Sequence, residues 1–189
     1  MSNEQPTIPP QENMKEIVIS RATEDDAKAI PQIQKDGWLS TYVNDELGIT
    51  EANILSKDFD SEEKVSRWTE AINKPETATF VAKEGSAPIG FCFVKKGESY
   101  NQLGALYVLS TARGRGVGTK LTEQALAYLG DEKPIHLEVV SYNDNAISFY
   151  EGFGFERTEQ IEKPTSGTLP SGVQIPEIKM ILNPKLDTV

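Results

Sequence analysis

The sequence predicts a mixed α/β (α+β) domain, with a mostly antiparallel central sheet of about seven strands flanked by helices. The first observation is size and composition. A chain of 189 residues with 38% hydrophobic and 25% charged side chains suits one folded domain and excludes a wholly disordered one. The second is a change of hydrophobic period: helical spacing prevails up to Ile72, strand-like runs from Thr79 to Leu109, and then the two interleave. The third is a basic, glycine-dense loop set directly between a strand and a helix.

Each element has its own signal. Residues 1–14 are polar, with Pro6, Pro9 and Pro10, and read as a disordered tail. Ile17 to Ile19 suits a strand. Thr23 followed by Glu24, Asp25 and Asp26 is a helix start, a capping hydroxyl ahead of negative charge at the positive dipole end. That helix is expected to reach about Asp36, with a kink or break at Pro31. A second helical stretch follows Thr50. A third follows Asp60, with Glu63 as its capping-box partner and Val65, Trp68 and Ile72 on one face. Residues 79–82, 89–94 and 103–109 form an antiparallel meander joined by turn-rich segments. The helix after the glycine-dense loop carries Leu121, Ala125 and Leu129 as a core-facing stripe and ends at Gly130. Ile135 to Val140 is a strand and Asn143 to Tyr150 a helix. Strands at about 155–161 and 174–182 close the domain, joined by a polar loop at 163–172. The domain is expected to span 15–183, with a short tail at 184–189.

Composition narrows the function. With 29 acidic and 19 basic residues the net charge is −10, which opposes phosphate backbones and argues against nucleic-acid binding. The same charge leans toward a cationic substrate. One cysteine, Cys92, excludes an internal disulfide framework, and one histidine, His136, argues against a histidine-based zinc site; no metal is expected. No apolar run is long enough for a membrane span, and the N-terminus lacks a secretion signal. A reducing compartment, the cytoplasm, is expected.

The most informative segment is Arg113-Gly114-Arg115-Gly116-Val117-Gly118-Thr119-Lys120. Glycines let backbone amides approach a ligand, and the helix that follows presents unsatisfied amides and a positive dipole end. That combination holds a phosphate or pyrophosphate, with Arg113, Arg115 and Lys120 adding charge. A P-loop requires Gly-Lys-Ser/Thr, whereas the order here is Gly118-Thr119-Lys120. The dinucleotide fingerprint would need a third glycine where Thr119 stands.

The pattern that fits is Gln/Arg-x-x-Gly-x-Gly/Ala, met by Arg113, Gly116 and Gly118. A second block, Asn143, Ala146, Phe149, Tyr150, Gly154 and Phe155, follows in order. With these two blocks the chain resembles the GCN5-related N-acetyltransferase (GNAT) family over roughly residues 17–182. The resemblance implies acetyl-CoA as cosubstrate and direct acetyl transfer to an amine in a ternary complex. It implies cofactor contacts from Leu106, Tyr107 and Val108 along a splayed fourth strand, whose open edge pairs with the pantetheine amides. The amides from Gly114 to Thr119, through Arg115, Gly116, Val117 and Gly118, would hold the pyrophosphate, with Arg113 and Arg115 near it and Asn143 contacting the cofactor or capping its own helix. A backbone amide of the fourth strand would stabilise the developing oxyanion.

Two residues are candidates for catalysis. Tyr150 matches the family's general-acid position, where a hydroxyl can protonate the departing thiolate. Glu138 matches a position used as general base in some members; strand alternation places it with His136 and Val140, opposite Ile135, Leu137 and Val139. A glutamate on the solvent side of the strand is the alternative. Trp38 and Tyr42, expected between the first two helices where the family builds part of its acceptor pocket, either hold a cationic or aliphatic amine or pack the helices. His136 reads as a strand residue and Cys92 as a small buried hydrophobe. The acceptor is an amine of a small molecule, polyamine, peptide or protein, and a homodimer is compatible with the family. The competing function is a non-catalytic acyl-CoA-binding module, which would have no use for Tyr150.

Overall fold

The structure, a computed structural model, describes residues 16–161 and 168–184. The expected disordered tail at 1–14 lies outside them, as do residues 163–167 of the polar loop and 185–189 of the C-terminal tail. The fold is the expected open α/β sheet of seven strands: β1 (Ile17–Arg21), β2 (Thr77–Glu84), β3 (Ala87–Lys95), β4 (Asn101–Val108), β5 (Ile135–Val140), β6 (Glu156–Ile161) and β7 (Glu177–Leu182). Their spatial order is β1-β2-β3-β4-β5-β7-β6. The first four form an antiparallel meander, β4 and β5 run parallel, and β7 inserts between β5 and β6.

Helices cover both faces. On one lies α4 (Val117–Leu129), whose Leu121, Ala125 and Leu129 pack against Phe80, Cys92 and Leu137. On the other lie α1 (Ala29–Thr41) and α3 (Glu62–Asn73), over Val81 and Phe91. This double covering explains why β2 is buried from Thr77 through Ala82 rather than alternating. Cys92 sits in the core with no exposure, as expected.

The first helix departs from expectation. Thr23 caps only a single 3-10 turn, Glu24–Asp26. The buried Asp26 carboxylate accepts from the Thr23 amide at 2.9 Å and pairs with Lys83 at 2.6 Å. Burial alone would raise its pKa, but Lys83 and Thr23 together hold it below the usual carboxylate value. The α-helix starts at Ala29 and runs past Asp36 to Thr41. Pro31 is its third residue, where the missing N–H has no intrahelical acceptor to lose, so it neither kinks nor breaks the helix. Trp38 therefore lies on α1 and Tyr42 at its C-cap, not between two helices.

The short α2 (Glu51–Leu55) has the expected start, with Thr50 and Asn53 capping each other. For α3 the cap is Ser61, whose hydroxyl accepts from the Lys64 amide, and not Asp60. Glu63 is thus one residue early for a capping box and pairs with Arg67 one turn on. The last strand starts at Glu177, three residues later than expected, because Pro176 cannot donate to a ladder. Before it, Gln174 bridges to Thr168, and Leu169 from the polar loop is buried against the cluster of Trp38, Ile49 and Phe59. Among the described residues no helix is long and apolar enough to cross a membrane.

Candidate active site

Residue pairing between β4 and β5 ends almost where it starts. Only Asn101↔Ile135 and Gln102↔His136 are in register, after which the strands diverge. Among the described residues the edge of β4 from Leu103 to Val108 therefore has no strand partner on that side, and it borders a cleft of about 990 Å³. Leu106, Tyr107 and Val108 line this cleft.

At one end of the cleft stands the glycine-dense loop. Gly114 and Gly116 hold φ of +73° and +75°, a left-handed backbone that strains any residue with a Cβ. This turns the chain sharply from the 3-10 turn Ser110–Ala112 into α4, with Gly116 as N-cap. The first helical bond runs from the Lys120 amide to the Gly116 carbonyl, 3.1 Å. The amides of Val117, Gly118 and Thr119 come before it and have no acceptor within the helix, so they and the dipole offer hydrogen bonds and positive potential at the helix start. The loop is fastened to α1: Asp36 accepts from the Ser110 amide at 2.8 Å and its hydroxyl at 3.0 Å. Arg113 donates to the Ser40 hydroxyl at 2.5 Å and to the Val108 carbonyl at 3.3 Å, and it lines the cleft.

Arg115 differs from expectation. Its guanidinium grips the Glu84 carboxylate with two donors, at 2.5 and 3.2 Å, away from the cleft wall. A fork already matched to a carboxylate ties the loop to the end of β2 and is not displayed to the cleft.

Both catalytic candidates line the cleft. Tyr150 lies on α5 (Asp144–Glu151), 8% exposed, with its ring edge-on to Phe149 and Phe155. Burial pushes its hydroxyl well above the usual tyrosine pKa, and the Cys92 thiol and Tyr107 hydroxyl add to the shift. Asn143 caps α5 by accepting from the Ala146 amide at 3.2 Å, and it also lines the cleft. Both readings of Asn143 thus hold geometrically. Glu138 faces the cleft from β5, half-buried. Its face of the strand is the expected one, since Ile135, Leu137 and Val139 point to the core. His136 is a strand residue stacked on Tyr100, 4.1 Å between ring centroids; burial and then Lys179 depress its pKa.

Beyond the catalytic candidates, an aromatic network closes the cleft. The Trp38 indole donates to the Tyr107 hydroxyl at 2.8 Å, and the Tyr42 and Tyr107 hydroxyls share a bond of 3.1 Å. Trp38 and Tyr42 are thus part of the cleft wall and part of a packed cluster at once. The side chain of Tyr107, absent from the sequence argument, is the hub. It fits because Gly37 on α1 leaves room: a Cβ there would collide with the Tyr107 ring. Gly37→Ala is expected to destabilise the fold by about 1–3 kcal/mol through overpacking, read as a lower denaturant midpoint.

Three further residues at this end escaped the sequence argument: Lys57, Lys64 and Glu177. Lys57 follows α2 and holds its ammonium 4.1 Å from the centre of the Trp38 ring. Glu177 opens β7 opposite Val140, 5% exposed. An acid directly after Pro176, at the start of an apolar strand, is the one sequence trace of it. Nothing in the sequence distinguishes Lys57 and Lys64 from solvated lysines.

The family model of the GNAT acetyltransferases matches residues 45–155. This chain belongs to the GNAT acetyltransferase family. Solved structures agree on the fold. The PaiA N-acetyltransferase from Thermoplasma acidophilum, in complex with coenzyme A, superposes with a TM-score of 0.70 at 18% identity, covering 89% of this chain and 99% of that one. YncA from Salmonella typhimurium, a putative acetyltransferase with acetyl-CoA, gives 0.66 at 20% identity over 92% and 96%. The ribosomal-protein-alanine N-acetyltransferase from Brucella melitensis gives 0.63 at 20% identity over 88% and 99%. The GNAT match contains both motif blocks, the α4 loop and the Asn143-to-Phe155 segment. It leaves out α1 with Trp38 and Tyr42, and β7 with Glu177. Much of the far end of the cleft is therefore built from segments outside the family match.

Proposed function

We propose that this GNAT protein transfers an acetyl group from acetyl-CoA to an amine by direct transfer in a ternary complex. The observation that carries the reading is the unpartnered edge of β4, which runs from the acidic middle of the cleft to the free amides of α4. The chain's groups fit the cosubstrate: amides of Val117, Gly118 and Thr119 for the pyrophosphate, and the β4 edge for the pantetheine arm. The CoA and acetyl-CoA complexes of the PaiA and YncA structures support this reading. Acetyl-CoA supplies an acyl carbon with a thiolate leaving group.

The chain supplies the rest. Glu138 accepts a proton from the ammonium, so that the nitrogen lone pair is free to form the C–N bond. A β4 amide hydrogen-bonds the carbonyl oxygen as charge develops on it. As the C–S bond breaks, the Tyr150 hydroxyl gives its proton to the thiolate sulfur.

A calorimetric titration with acetyl-CoA, CoA, NAD and ATP tests the first half. Micromolar binding of the CoA species alone is expected; none, in folded protein, would remove the proposed function. For the second half, Glu138→Gln is expected to slow turnover most at low pH, where nearly all of the amine is protonated. The deficit should narrow as pH rises toward the amine's own pKa, because the free base then needs no acceptor for its proton. A rate profile parallel to wild type across the pH range would remove Glu138 as the base.

A further inference from the structure

The far end of the cleft carries charge of both signs. Lys57 and Lys64 come from the α2–α3 side, and Glu138 and Glu177 from the sheet. The register pairs Val140 with Glu177 and Lys179 with Glu138, so the two carboxylates share one sheet face, diagonally placed with the Val139–Ile178 pair between them along the strands. Between the two walls lie the rings of Trp38, Tyr42 and Tyr107.

We propose that the acceptor is an α-amino acid or a close amino-carboxylate, bound with its ammonium toward Glu138 and Glu177 and its carboxylate toward Lys57 and Lys64. This rests on the acetyl-transfer reading and names the substrate class for it.

The lysines carry the argument. Among the described residues neither of them stands in an ion pair. Burial and then the charge of Lys64 lower the pKa of Lys57, with Glu177 pulling the other way. Two cations that face one cleft repel each other, and an anionic group between them relieves that repulsion. Trp38 fixes the Lys57 ammonium over its ring, so the charge is held in place before any ligand arrives. The net charge of −10 attracts cations to the protein as a whole, but at this end of the cleft a polyamine would meet two lysines at close range. A carboxylate of Glu177 buried to 5% is suited to one desolvated ammonium, not to a long cation that trails into solvent. The aromatic rings between the walls suit the apolar body of such a molecule.

The test compares matched sets of acceptors: an amino acid, its amide, and the corresponding decarboxylated amine. Leucine, leucinamide and 3-methylbutylamine form one set; phenylalanine, phenylalaninamide and phenethylamine form another; spermidine is run beside them. Thiol release from acetyl-CoA is followed, and binding to the CoA-loaded protein is measured by calorimetry. The free acid is expected to exceed its amide and its amine at least tenfold in kcat/KM and in affinity. Lys57→Met should erase that preference by raising KM for the acid at least tenfold more than for the amide, and Lys57→Arg should restore most of it. Spermidine, the amides or the decarboxylated amines used as well as the free acids would overturn the proposal, as would an intact preference in folded Lys57→Met. Failure of acetyl-CoA itself to bind would instead bring down the acetyl-transfer reading beneath it.

Discussion

Gly118→Ala is expected to leave the fold intact, or slightly stabilise it, while weakening CoA binding about 30-fold. Gly118 is the second residue of α4 and has ordinary helical backbone; its φ is not among the positive ones. A Cβ built there would lie 3.7 Å from the Phe149 ring, a normal van der Waals contact. Alanine is favoured over glycine in a helix by up to about 1 kcal/mol, so the folded state loses nothing. Gly118 lines the cleft, however, so the new methyl would crowd the proposed approach of the pyrophosphate to the α4 amides. Loss of one hydrogen bond to a charged oxygen costs about 2 kcal/mol, which is about 30-fold in affinity. Thermal unfolding and calorimetry on the same preparation separate the two effects. Unchanged affinity would move the pyrophosphate away from α4. Gly114 and Gly116 make a poorer test, since alanine there strains a left-handed backbone and would confuse folding with binding.

Tyr150→Phe is expected to lower kcat on the order of 10²-fold, the usual scale for loss of a general acid, with CoA affinity nearly unchanged. The ring is what packs, edge-on to Phe149 and Phe155, and phenylalanine keeps it. Burial holds the Tyr150 hydroxyl protonated far beyond the pH at which an ordinary tyrosine ionises. The wild-type rate should therefore show no alkaline fall near pH 10 that Tyr150→Phe removes. Single-turnover kinetics check the assignment, because product release cannot mask the chemical step there. Full turnover in Tyr150→Phe would take the residue out of the mechanism.

Much of the cofactor half was legible before the structure. Arg113, Gly116 and Gly118 lie within six residues of one another, and the block from Asn143 to Phe155 within thirteen. Spacing of that kind is legible because it lies within one turn and one short helix of the chain. Arg115 shows the limit of the same logic. Its place in the loop marks it as a cation near phosphate, but Glu84, brought over by β2, engages both terminal nitrogens of its guanidinium.

The elements themselves read well where periodicity was strong and less well where a single residue had to decide. Trp38 is the example. Taken as a linker residue after a helix ending at Asp36, it is in fact inside α1, which continues to Thr41 because Pro31 falls in the first turn and costs the helix nothing.

By itself the sequence determined the seven-strand α/β fold, the GNAT resemblance, the glycine-dense turn before α4 and the two candidates for proton transfer. All of these depend on hydrophobic period or on residues close together in the chain. Only the tertiary structure decided what surrounds the acceptor. Trp38 and Tyr107 are 69 positions apart, and Lys57 and Glu177 still further. They meet because α1 packs across β4 and because β7 inserts beside β5, bringing Glu177 opposite Val140. Contacts of that range follow from how strands and helices pack over the whole domain, and no local pattern of residues encodes them.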